Sequence, residues 1–210
     1  MSAFEKMKSN QLESLKVLQI KFSADYDEEV IDAMYYAALS AKSNLEQYLS
    51  KKVEEVESDE ELSEDEKYFI IDTYSDDHYL SRQTVELAEE MQIVALYKSV
   101  EISIKDMLKY SGLFTNKQLD SFYRIGALKK EVSKKVCALD GLKNYKSYDE
   151  LRCINNCIKH SGRVNKELSK FSGWNVGDKI VKTNDHYTRL KDDVRGFVFN
   201  LRDELLSKIV

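Results

Sequence analysis

The sequence contains no proline and only seven glycines among 210 residues. Proline breaks helices and punctuates loops, so its absence argues against a chain built on tight turns and fits helices joined by short connections. Cysteine is scarce too. Cys137, Cys153 and Cys157 are an odd number, and the last two lie four apart on one predicted helix, which points to reduced thiols in a cytoplasmic protein. No stretch approaches the roughly 18–20 uninterrupted apolar residues of a membrane span, so a membrane is not an expected partner. The opening MSAFEKMKSN has no apolar run and no small-residue cleavage site, so nothing in it marks the chain for secretion. There is no Gly-rich phosphate loop, no HExxH and no CxxC pair, and no cofactor is expected.

What is present is helical. The content of Lys, Glu, Leu and Ala, in a chain long enough to bury a substantial core, predicts an all-α helical bundle formed as one domain over residues 1–210. Net charge is only −5, but it is unevenly placed: residues 1–100 hold 10 Lys/Arg against 23 Asp/Glu, and residues 101–210 hold 22 against 14. Such asymmetry suits a polyanionic partner for the basic half. It equally suits an acidic half that packs on the basic half of the same or another subunit.

Apolar spacing and capping residues divide the chain into helices. A first helix runs from about Ser2 to Phe22, with Leu12, Leu15, Leu18 and Phe22 at three-to-four-residue intervals. Asp25 reads as the N-cap of a second, which continues to about Lys52. In the segment 54–67 nine of fourteen residues are acidic, predicting a solvated helix end and loop. Residues 68–79 are ambiguous. Ser81 is expected to open the longest central helix, whose stripe includes Val85, Ala88, Val100, Ile104 and Leu108 and which ends before Gly112. Thr115 with Gln118 reads as a capping box for a helix carrying Leu119, Phe122 and Ile125, followed by Lys129, Lys130, Lys134 and Lys135. Asp185 is expected to cap a last helix with Leu190, Val194, Phe197, Leu201 and Leu205 inward, and His186 to be a surface or capping residue. Residues 169–183 carry no clear pattern.

The helix with functional content runs from Ser147 to Gly162. Ser147 and Glu150 read as a capping box and Gly162 as the terminating C′ residue. On a wheel of about 100° per residue, Leu151, Ile154 and Ile158 form a face that must be buried. Arg152, Asn156, Lys159 and His160 fall opposite, and Arg152, Asn156 and His160, at i, i+4 and i+8, make one column. Histidine moves protons near neutral pH, Arg152 and Lys159 can hold a phosphate, and Asn156 can orient the imidazole or a phosphate oxygen. These are parts for phosphodiester chemistry without a metal. A solvated face with a histidine that merely caps the helix end is the plainer reading. Cys153, Cys157 and His160 also make a weak C-x3-C-x2-H metal pattern, outweighed by cysteine's usual place as a small buried hydrophobe. Glu101, between Lys98 and Lys105, reads as part of a helix salt-bridge set.

The segment resembles the HEPN superfamily, helical-bundle domains of prokaryotic toxins, antiphage-defence proteins and CRISPR-associated ribonucleases. Its hallmark is an arginine, a polar residue that is often Asn, about three further residues, and a histidine. Asn156 and His160 match the last two anchors, while Asn155 stands where the arginine is expected and Arg152 lies one turn earlier. The resemblance implies a metal-independent endoribonuclease or RNA-binding effector in toxin or antiphage-defence biology. It implies His160, Arg152 and Asn156 as catalytic residues, with Lys159 and Arg163 beside them on RNA phosphate. It further implies a homodimer whose motif helices meet across a two-fold axis, and an antitoxin or defence-system protein as a possible partner. The competing expectation is a non-catalytic helical homodimer acting as an interaction or regulatory subunit.

Overall fold

The computed structural model describes residues 3–209, with side chains from residue 11 onward. The described residues form seven α-helices: α1 (Ala3–Ser23), α2 (Glu28–Glu57), α3 (Glu64–Ser111), α4 (Asn116–Ser121), α5 (Ile125–Lys135), α6 (Tyr145–His160) and α7 (Thr183–Ile209). Among the described residues there is no strand, only one isolated bridge between Arg163 and Lys179. The expected all-α bundle with a long central helix is the observed architecture, and among the described residues no helix is long and apolar enough to cross a membrane.

The central helix is longer than its pattern suggested. α3 begins not at Ser81 but after Ser63, whose side chain caps the Glu66 amide while the Glu66 carboxylate accepts from the Ser63 amide. No Pro or Gly follows to break it before Gly112, so residues 68–79 are helical and Ser81 is buried in mid-helix. At about 1.5 Å per residue, its 48 residues make a rod about 70 Å long. Gly112 ends it at φ 69°, a left-handed turn that a Cβ would strain.

α2 packs back along α3. The less exposed positions of α2 (Ile31, Tyr35, Ala38, Lys42, Leu45, Leu49) alternate by four and three. Those of α3 (Lys67, Ile71, Tyr74, His78, Ser81, Val85) do the same. This is the periodicity of a coiled-coil seam. The second half of α3 is different, because α1, α6 and α7 all pack on it. There Ile93, Leu96, Val100, Met107 and Leu108 are fully buried, as are Leu190, Val194, Phe197, Leu201 and Leu205 of α7. Each such side chain contributes about 1.5–3 kcal/mol relative to an exposed one.

Several local expectations are corrected. Asp27, not Asp25, caps α2, its Oδ1 accepting from the Glu29 amide at 3.0 Å. Asp25 instead pairs with Arg195 of α7 at 3.3 Å. Glu28 meets Arg195 at 3.1 Å and Asp32 meets Lys191 at 3.0 Å, so part of the charge asymmetry is satisfied inside the molecule. The Thr115–Gln118 capping box is present, but α4 stops at Ser121. Phe122 turns inward against Phe114, edge to face at 5.4 Å, and the chain restarts as α5. The apolar row of α1 faces solvent, with Leu12, Leu15, Leu18 and Phe22 between 48% and 75% exposed, while Ile20 and Ala24 carry the packing.

Candidate functional site

α6 starts two residues earlier than expected and by another device. Asn144, left-handed at φ 65°, is its N-cap, and no side chain caps the first turn. The proposed box is absent because both of its members are used elsewhere. Ser147 donates to Asp193 of α7 at 3.0 Å, and Glu150 is buried. Glu150 accepts from Trp174 Nε1 at 2.9 Å and from both terminal nitrogens of Arg189, at 2.6 and 3.2 Å. The other end is as expected. Gly162 is left-handed at φ 62°, and the Ser161 and Gly162 amides both donate to the Cys157 carbonyl, at 3.0 and 2.9 Å.

Between these ends the two faces separate. Leu151, Cys153, Ile154 and Cys157 are buried and Ile158 is half-buried. Arg152 and Asn156 are half-buried, and Lys159 and His160 are exposed. The two thiols therefore point into the core and His160 away from it, and the C-x3-C-x2-H arc does not converge. Burial pushes the Cys153 thiol up to about 12, which keeps it protonated. Asn155 is 1% exposed, and its Oδ1 accepts no hydrogen bond among the described residues.

Arg152 is held rather than loose. Its Nε donates to Asp149 Oδ1 at 2.8 Å, and Nη1 reaches Glu167 Oε2 at 3.4 Å. Burial works against its charge and is the largest single influence, but the Asp149 hydrogen bond and the negative charges of Asp149 and Glu167 together outweigh it, so the guanidinium holds its proton more tightly than usual. With Asn156 it lines a cavity of about 330 Å³ enclosed by α3, the α4–α5 elbow and α6. Lys105 and Arg124 supply two further cations to the wall, and Tyr97, Tyr123 and Tyr148 supply rings. Lys105 is paired with Glu101 at 3.0 Å, as the sequence suggested. Arg124 lies over the Tyr123 ring, 5.1 Å from its centre, and no carboxylate pairs with it among the described residues.

No family model, no curated protein and no solved structure matches this chain.

The expected column is thus divided. Arg152 and Asn156 face the cavity, whereas His160 does not line it and stands about 12 Å from Arg152 along the helix axis, eight residues at about 1.5 Å each. Lys159 lies beside His160 in solvent. Arg163 is exposed but engaged, donating through Nη1 to the Gly177 carbonyl at 2.9 Å and pinning the loop back on α6. Of the α5 lysines, Lys129 pairs with Asp140, Lys134 with Glu131, and Lys135 donates to the Leu113 carbonyl. His186 is not a free surface residue: its ring lies tilted against Trp174, 4.3 Å between centres, and is half-buried. Burial, and then the Arg189 charge, lowers its pKa. No local signal in the sequence marks Tyr97, Tyr123 or Arg124: Tyr97 reaches the cavity because α3 packs on α6, and Tyr123 and Arg124 because the elbow after α4 turns toward it.

Proposed function

We propose that the protein is a HEPN-like RNA-binding effector of toxin or antiphage-defence biology, with metal-independent ribonuclease chemistry centred on α6. The observation that carries this reading is that Arg152 and Asn156 line one cavity with Arg124 and Lys105, an arrangement suited to a phosphate and its nucleoside. Arg152 sits where the cavity needs a cation. An arginine at position 155 would point into the core, because Asn155 is 1% exposed. Cleavage would proceed by attack of a ribose 2′-oxygen on the adjacent phosphorus. The 2′-hydroxyl proton passes to a base, the P–O5′ bond breaks, and a proton goes to the departing 5′-oxygen. The nucleophile is already positioned by the ribose, so orientation, proton transfer and charge stabilisation suffice. His160 stands clear of its own chain's cavity, which fits a composite site in which two copies bring their motif helices together.

The test is incubation with mixed RNAs in EDTA, beside His160→Ala and Arg152→Ala. Loss of cleavage by about 10²-fold or more in His160→Ala, with 2′,3′-cyclic ends from the wild type, is expected. RNA that stays intact with wild-type protein removes the catalytic half of the proposal.

A second reading, a non-catalytic helical homodimer serving as an interaction subunit, is favoured by the solvent-facing row Leu12, Leu15, Leu18 and Phe22. On this reading Leu15→Glu with Phe22→Glu converts a dimer to a monomer in light scattering, and RNA is neither bound nor cut. A wild-type monomer contradicts it.

A further inference from the structure

We infer that the cavity between α3, the α4–α5 elbow and α6 is a pocket for a single nucleoside monophosphate unit, free or as one residue of an RNA strand. The inference builds on the RNA-binding reading for the source of the ligand; its chemistry comes from the pocket. At about 330 Å³ the cavity is at the small end of ligand sites, which run from about 300 to 1,000 Å³, so it suits one nucleotide and not a folded oligonucleotide.

The wall divides by chemistry. Arg124, Lys105 and Arg152 bring three cations against one carboxylate, Glu101. Arg124 is the uncompensated one, since Lys105 is paired with Glu101 and Arg152 with Asp149 and Glu167. α5 also begins at this wall. Its first turn, Ile125 and Gly126, lines the cavity, and no side chain caps it. The positive end of the helix dipole therefore adds to the cations, and an anion is the complement. A bare anion would leave the rest of the wall unused. Tyr123, 65% exposed with Arg124 stacked over it, offers a ring face at the mouth. Tyr97 continues the aromatic wall, and Asn156 supplies an amide with both donor and acceptor. Rings for stacking and an amide for a base edge are how single nucleotides are recognised. Phosphate, ring and base edge are all provided for within one cavity.

Calorimetric titration tests this with the four nucleoside 5′-monophosphates, inorganic phosphate and a short single-stranded oligoribonucleotide. The variants are Arg124→Ala and Gly126→Glu. Both positions are exposed, a Cβ at Gly126 meets nothing within 4 Å, and an acid in a first helical turn favours the fold. The prediction is that a mononucleotide binds more tightly than phosphate and that each variant weakens it by about tenfold or more. A mononucleotide that binds while the oligomer does not supports the pocket and ends the RNA reading. An oligomer that binds equally to wild type and both variants, with no mononucleotide binding, overturns the pocket and leaves the RNA reading standing. Failure of every ligand to bind overturns both.

Discussion

At the scale of single residues, the contrast between Asn155 and Arg152 decides most. A buried amide whose oxygen has no partner costs stability, and replacing it by an apolar group of similar shape removes that cost. Asn155→Leu is therefore expected to leave the urea midpoint unchanged or to raise it. Asn155→Arg, which restores the arginine of the resembled motif, forces a guanidinium into the core and is expected to cost about 3 kcal/mol or more. A stable, fully folded Asn155→Arg protein would show that position 155 can open toward the cavity, contrary to the assignment of that role to Arg152. The column was legible in the sequence because i, i+4 spacing is a property of any helix. Its division between cavity and solvent was not, because what covers Arg152 and leaves His160 bare comes from α3 and the elbow.

At the scale of elements, α6 and the segment after it form one fastening. Glu150, Trp174, Arg189 and His186 tie residues 163–182 to α6 and α7. Ser147 and Glu150 fit the local pattern of a capping box, but Trp174 and Arg189, distant in sequence, compete for the same carboxylate. The helices were legible wherever burial is periodic, as in α7, and misjudged wherever a cap or a distant partner decided. α3 is the clearest case: its start depends on the Ser63–Glu66 box, not on the apolar stripe that begins near Ser81. The fastening also carries a pH dependence. The folded pKa of His186 is lowered, so its contribution to stability is complete above its unfolded value of about 6.5 and is lost as pH falls toward the folded one. His186→Phe keeps a ring against Trp174 without the titration. Urea unfolding between about pH 7.5 and 5 is expected to show wild type losing stability relative to His186→Phe on the acid side. Parallel profiles would mean that the ring is solvated in both states.

At the scale of the whole molecule, the charge asymmetry resolves into two parts. Near the α1–α2 junction it is internal, through the pairs of Arg195 and Lys191 with Asp25, Glu28 and Asp32. The rest lies along the α2–α3 hairpin, where residues 33–90 hold 16 Asp/Glu against five Lys/Arg. A polyanion is repelled by that surface and drawn instead to the cavity that Arg124, Lys105 and Arg152 line. The proposed function is therefore a proposal of place, in which RNA would meet this protein at α6 and the elbow opposite it. Photo-crosslinking of a thiouridine-substituted single-stranded RNA, followed by mass spectrometry of the linked peptides, measures that place directly. The account predicts linked residues at Tyr123 and in the stretch Arg152–His160, lost in Gly126→Glu. Crosslinks confined to residues 28–90, or none at all, would contradict it.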